Sequence, residues 1–321
     1  MKSMVFIGKI IELKKVENSD FLNQATVICG SGGKWTGVVK ITDFNLGDLC
    51  QVYLPDSILP DTPKFEFMKN KKFLVKQCRL RGAISEVLIM PKVQDGEVGA
   101  DITNLEGVTK YEKPLPLSIG GDMEGNFPSF VPKTDEPNFQ GVKHMLDNLK
   151  GKSFVATVKC DGSSGTFIKH EGKQYACTRN YTMKDVEGCL VWHLVKKYGL
   201  QDKLPEDFAI QFEMIGPKIQ SNPMGVKENE LRVFNLYDIK NRKHLGHREV
   251  FRFCLSNSIP MVPIAKEGDN FGADENMLRE WAKGKYENGR QREGIVIRPM
   301  DEMESDGERL SFKVINLEYK D

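Results

Sequence analysis

Four apolar runs in the second half of the chain each carry one charged residue where a buried strand would carry none. Residues 154–158 run into Lys159, residues 208–212 run into Glu213, Glu293 opens onto 294–297, and Lys313 interrupts 310–315. Charge beside a buried strand is costly unless it is paired or bound to ligand. Two acids and two bases in such places constrain the fold to sheets that share a polar crevice.

The first of these runs continues as Lys159-Cys160-Asp161-Gly162-Ser163-Ser164. A lysine directly after an apolar strand points into the crevice at the strand's end, and Gly162 with two serines turns the backbone sharply. Beside metal-binding acids and other cations, such a lysine is neutral often enough to attack phosphorus. The same residues also read as a surface hairpin with an exposed lysine, so the segments downstream must decide.

Composition leaves both readings open. The 321 residues suffice for two cores, and a net charge of +1 announces no global basic field. The seven cysteines include no C-x-x-C pair, which disfavours a disulfide framework and a structural zinc site. No apolar run reaches membrane-spanning length and no signal-peptide pattern opens the chain. These features predict an intracellular protein, cytoplasmic or nuclear, acting away from membranes; a monomer is the expectation, and a virus-encoded source is compatible with it.

Residues 1–110 read as short strands at 4–10, 23–29, 35–40, 49–54, 76–80 and 87–90, with turn signals between them. That pattern predicts a small β-barrel, with the OB-fold as the candidate of this size. Pro114, Pro116, Gly120, Gly121, Pro128, Pro132 and Pro137 make 111–140 an extended linker. Residues 141–321 mix helices at 142–149, 186–198, 248–256 and 276–285 with strands at 154–158, 174–180, 208–213, 231–238, 294–298 and 310–315. The fold class is therefore α+β.

The order of segments resembles the covalent nucleotidyltransferases, the superfamily of polynucleotide ligases and mRNA capping enzymes. KCDGSS resembles its motif I, CTRN the segment that follows with an arginine, and IQFEMIGPKIQSN motif III. RVFNLYDI resembles motif IIIa, REGIVIRP motif IV and SFKVIN motif V. The resemblance implies an ATP-grasp-like domain of two antiparallel sheets with flanking helices. It implies that Lys159 attacks the α-phosphorus of ATP to give lysyl–AMP, and that Asp161 and Glu293 hold Mg2+ or Mn2+. It further implies that Glu213 accepts ribose hydroxyls, Phe234 stacks on adenine, and Ser164, Arg179 and Lys313 contact the ribose or phosphates.

Two departures stand out. Relatives that carry a glutamate just before the lysine, or two before it, use it on the adenine edge, whereas Val158 and Thr157 stand here. Motif V has the single lysine Lys313, leaving Lys169, Arg292 or Arg298 as candidates to neutralise the leaving pyrophosphate.

The β-rich segment precedes the motifs, and the chain closes at Asp321, shortly after motif V. This order resembles nick-sealing RNA ligases with an N-terminal OB domain, as do residues 52–60, 79–85, 127–128 and 132–136, although Asn138 replaces an expected arginine. The implied function is ATP-dependent sealing of 3′-OH/5′-phosphate nicks in RNA repair, on nicked duplex with an RNA 3′-OH end. A reduced ATP-dependent DNA ligase and an inactive nucleic-acid-binding relative remain as alternatives.

Overall fold

The computed structural model describes residues 3–17, 19–30, 32–111, 122–305 and 307–319. Pro114, Pro116, Gly120 and Gly121 of the expected linker lie outside the described residues. The chain divides into two compact units, Met1–Lys113 with Phe139–His144, and Pro114–Asn138 with Met145–Asp321.

In the first unit, five antiparallel strands run in the order Gly33–Lys40, Leu22–Cys29, Val5–Lys15, Leu49–Tyr53, Leu88–Pro91. The first strand extends past the expected 4–10 because a bulge between Ile10 and Glu12 lets it pair on to Lys15. The sheet curls around Ile10, Ala25, Val27, Trp35, Val39, Cys50 and Val52, as an OB-like half-barrel. Its other side buries Val5, Ile7 and Tyr53 with Phe65 and Met68 of the 3₁₀ segment Pro63–Lys71. Gly33 meets residues 139–141 here: a Cβ on it would lie 1.6 Å from the carbonyl oxygen of Gln140. Gln140 also donates to Glu86 at 3.0 Å.

The second unit is built on two larger antiparallel sheets, beside the two-stranded pair Glu304–Ser305 and Glu308–Arg309. Seven strands run in the order Met123–Asn126, Tyr181–Met183, Lys173–Thr178, Ser163–His170, Phe208–Ile215, Glu230–Asp238, Lys243–His244. Four run in the order Ile264–Gly268, Phe154–Lys159, Gly294–Pro299, Phe312–Ile315. Met123–Asn126 comes from the stretch expected as linker, and it adds an edge strand by pairing with 181–183.

One face of the larger sheet presents Phe167, Ile210, Phe212, Met214 and Val233 to the helices Leu190–Lys197 and His247–Ser256. The expected helix 186–198 begins only at Leu190 because Gly188, at φ +86°, stands outside helical conformation. Period-two alternation then sends Ser164, Glu213 and Arg232 to the opposite face. The smaller sheet is apolar through Phe154, whose ring stacks on Trp281 at 5.5 Å.

Candidate active site

Lys159 ends the strand Phe154–Lys159 and pairs in register with Gly294, the residue after Glu293. Its Nζ donates to Glu293 Oε2 at 2.6 Å, with both side chains about one quarter exposed (26% and 21%). The hydroxyl of Tyr286 ties the same corner together. It donates to the Lys159 carbonyl at 2.9 Å and accepts from the backbone N–H groups of Asp161 and Glu293, each at 3.2 Å. Asp161 in turn accepts a hydrogen bond from the Tyr319 hydroxyl.

Two glycines permit these approaches. A Cβ at Gly162 would stand 2.2 Å from the carbonyl oxygen of Met214, so only glycine lets the turn after Asp161 lie against the strand carrying Glu213. Gly294 has φ +153°, and a Cβ there would stand 2.2 Å from the carbonyl oxygen of Val314. The close pairing of the Glu293 and Lys313 strands thus depends on a missing side chain.

Ser164, Glu213 and Arg232 are direct cross-strand neighbours on three adjacent strands. Ser164 Oγ lies 2.7 Å from Thr134 Oγ1. Arg179 forms an ion pair with Asp135, and Arg232 pairs with Glu230 at 2.7 Å. Glu213 accepts the backbone N–H of Gly162. Phe234 is half-buried and packs on Cys160, Ile215 and Val262 beside Met224 and Val226, an apolar patch that adjoins the charged row. Lys313 lies on Phe312–Ile315, and its backbone N–H donates to the Pro137 carbonyl at 2.8 Å.

Electrostatics single out Lys159. Burial would lower its affinity for a proton, but Glu293, Glu213 and Asp161 outweigh burial and raise its pKa. Burial first, and then its neighbours Glu293 and Asp161, push Glu213 up to about 8 against the pull of Lys159. These carboxylates favour the ammonium form of Lys159. The acids that surround it outnumber the nearest cations.

The structure brings Lys159, Asp161, Glu213 and Glu293 together and places Phe234 and Ser164 along the same crevice. The reserve cations lie elsewhere. Arg298 is buried against Glu136, and Arg292 donates to the carbonyls of Trp281, Ala282 and Lys283. Lys169 donates to the Gln201 carbonyl at 3.0 Å. All three are therefore held by protein acceptors.

Tyr286 and Tyr319 belong to the site and went unread in the sequence, whereas Thr134, Asp135 and Gln220, which donates to the Gly162 carbonyl at 3.0 Å, lie in the matched segments 132–136 and IQFEMIGPKIQSN without an assigned role. Three residues of the Gln220 loop share left-handed backbone, Lys218, Gln220 and Asn222. For Thr134, Asp135 and Gln220 the local signal lay in residues 132–136 and GPKIQSN.

Among the described residues, no group of three or more His, Cys, Asp or Glu side chains forms a metal cage. The donors at hand are hard carboxylate oxygens from Asp161 and Glu293, both close enough to perturb Lys159. That set suits magnesium or manganese, which takes one or two carboxylates and completes its shell with water and substrate phosphates.

Comparisons with known proteins accord with this geometry. The RNA ligase family model matches residues 152–315, and an OB-fold domain model matches residues 4–92. No curated protein matches the chain. Several structures of the Naegleria gruberi RNA ligase are similar along the whole length. A mutant solved with ATP and manganese is 25% identical, with 98% of this chain and 97% of that chain covered and a TM-score of 0.85. Another mutant, with AMP and manganese, is 26% identical over 98% and 97% of the two chains, with a TM-score of 0.85. The enzyme with pyrophosphate is also 26% identical over the same shares, with a TM-score of 0.83. With a family model spanning more than half of its length, from Lys152 to Ile315, this chain belongs to the RNA ligase family.

Proposed function

We propose that this RNA ligase uses ATP to adenylate Lys159 and then seals 3′-OH/5′-phosphate nicks in duplexes with an RNA 3′-OH end. The observation that carries the reading is the Lys159–Glu293 ion pair at 2.6 Å, set among Asp161 and Glu213 at the mouth of the crevice.

The Lys159 amine, once deprotonated, attacks the α-phosphorus of ATP. The new N–P bond forms as the P–O bond to pyrophosphate breaks, giving lysyl–AMP. Asp161 and Glu293 would hold Mg2+ or Mn2+, and when bound the ion supplies positive charge that offsets the phosphates and the carboxylates favouring the ammonium. Glu213 receives the ribose hydroxyls, Phe234 stacks on adenine, and Ser164, Arg179 and Lys313 contact ribose or phosphate. The Val158 N–H already donates to the Pro263 carbonyl at 2.7 Å. That strand edge is therefore committed, which leaves adenine selection to nearby backbone groups without a glutamate.

The AMP then passes to the RNA 5′-phosphate, and the 3′-hydroxyl attacks that phosphorus and displaces AMP. In this reading residues 1–110 serve nucleic acid and the motifs after residue 150 serve the nucleotide. The exposed cations Lys76, Arg79 and Arg81 on and beside the hairpin Cys78–Leu80/Ala83–Ser85 support a backbone-binding surface. Among the described residues no helix is long and apolar enough to cross a membrane.

Transfer of α-phosphate label from ATP to protein, with the wild type and Lys159→Ala compared, tests the first step. The variant is expected to take up no label, and wild-type labelling of it overturns the mechanism. Nicked duplexes bearing ribose or deoxyribose on each side of the nick then test the substrate, with sealing expected only for an RNA 3′-OH end.

A further inference from the structure

Phe234 occupies an irregular place in its strand. Gln211 pairs with Asn235 and Phe212 pairs with Val233, so Phe234 is the extra residue of a bulge and has no partner across that ladder. A bulge re-aims a side chain, and it also leaves a backbone carbonyl that must find another donor. Here the donor is Arg298 Nη1, 2.9 Å from the Phe234 carbonyl oxygen.

Arg298 is 9% exposed, and the other edges of its guanidinium are also taken. Nη2 donates to Glu136 Oε1 at 2.7 Å, and Nε donates to Ser311 Oγ at 2.9 Å. The Ser311 hydroxyl donates in turn to Glu136. A second arm reaches the next residue, where Arg309, 3.8 Å from Glu136, donates to Asn235 Oδ1 at 3.1 Å. The Asn235 amide donates to Gln211 at 2.9 Å, and Gln211 donates to the Pro132 carbonyl at 2.8 Å. Residues 132 and 136 therefore hold the bulge from both sides.

A buried ion pair is seldom more stabilising than apolar residues of the same size. What it supplies is geometry, because a planar guanidinium can satisfy a carboxylate, a hydroxyl and a carbonyl in fixed directions at once. Those three acceptors belong to the segment before the domain's first long strand, the segment entering the Lys313 strand, and the Phe234 bulge. Arg298 itself lies on the strand that Glu293 opens.

We propose that Glu136 and Arg298 are a positioning pair that sets the bulge and so aims the Phe234 ring at adenine. The proposal rests on the reading of Phe234 as the adenine-stacking residue. Neither residue of the pair touches nucleotide, and both act through the Phe234 backbone.

The test is single-turnover self-adenylation by the full chain, in which the rate at varied ATP gives a half-saturating concentration (KM) and a maximal rate (kcat), measured for Glu136→Gln, Arg298→Lys and Phe234→Ala, alone and combined. Glu136→Gln keeps an acceptor but removes the charge. Should it not fold, Arg298→Lys keeps the charge yet cannot reach all three acceptors, and it carries the test alone. Each single variant is expected to raise KM for ATP about tenfold with kcat nearly unchanged, the pattern of weakened ground-state binding. Inhibition by inorganic tripolyphosphate, which has no base, is expected to stay at the wild-type level.

Adding Phe234→Ala to either variant is expected to change KM less than about twofold further, because both act through one side chain. Wild-type KM in the pair variants, or effects that multiply with Phe234→Ala, overturns the positioning role while leaving the adenine reading intact. Wild-type KM in Phe234→Ala overturns both.

Discussion

Lys159 Nζ and Glu293 Oε2 lie 2.6 Å apart, joining the lysine that ends one strand to the acid that precedes its neighbour in the sheet. The Glu293 carboxylate favours the lysine's ammonium form, so a cation held on Glu293 would favour the free amine.

Replacing Glu293 by glutamine is expected to preserve the fold and slow lysine adenylation by roughly a hundredfold or more, as removal of an electrostatic stabiliser does. Rapid-quench labelling across a magnesium or manganese titration measures it. Equal rates at every metal concentration would remove Glu293 from the site. Chelation of divalent ions is expected to abolish labelling of the wild type and to leave its melting curve little changed.

Gly294→Ala is expected to cost about 1–3 kcal/mol of stability from a forced backbone conformation. It is also expected to depress adenylation at temperatures where the protein stays folded. The added methyl meets the Val314 carbonyl and pushes the Glu293 and Lys313 strands apart. Gly289→Ala, where a Cβ would meet nothing within 4 Å, separates crowding from left-handed backbone alone, since its φ is +83°. It is expected to spare adenylation.

Acid stability is expected to report on Glu136. Burial opposes its ionisation, but Arg298 and Arg309 overcome burial and hold its carboxyl at about 2, below the ordinary 4.5. A carboxylate with a depressed pKa contributes its full stability above about pH 4.5 and loses it as pH falls towards 2. The contribution is about 3 kcal/mol by linkage. Thermal melts between pH 7 and pH 3 are expected to fall less steeply for Glu136→Gln than for the wild type. Parallel curves would show that the carboxylate is not ionised in this way.

Neutralising Lys76, Arg79 and Arg81 together in the full chain is expected to leave lysyl–AMP formation unchanged and to weaken binding to nicked duplex. For each phosphate no longer neutralised by a cation, the slope of log K against log salt is expected to become shallower by about 0.9. An unchanged slope would mean that these cations form an ordinary solvated strand face.

By itself the sequence determined the strand-bearing framework, because period-two burial, glycine turns and apolar runs are local signals. Lys159, Glu213, Glu293 and Lys313 were legible for a related reason: a charge at the end of an apolar run needs a partner wherever the run folds. Tertiary structure alone decided which partner each charge received. Arg298 reads locally as a cation near motif IV, yet its partners are Glu136, far upstream, the Phe234 carbonyl and Ser311. Tyr286 and Tyr319 carry no pattern of their own, and only the meeting of distant segments puts their hydroxyls on Lys159 and Asp161. The physical reason is that burial and turn preferences act over a few residues. Hydrogen-bond satisfaction in the crevice is settled between groups that the chain brings together only when both sheets have formed.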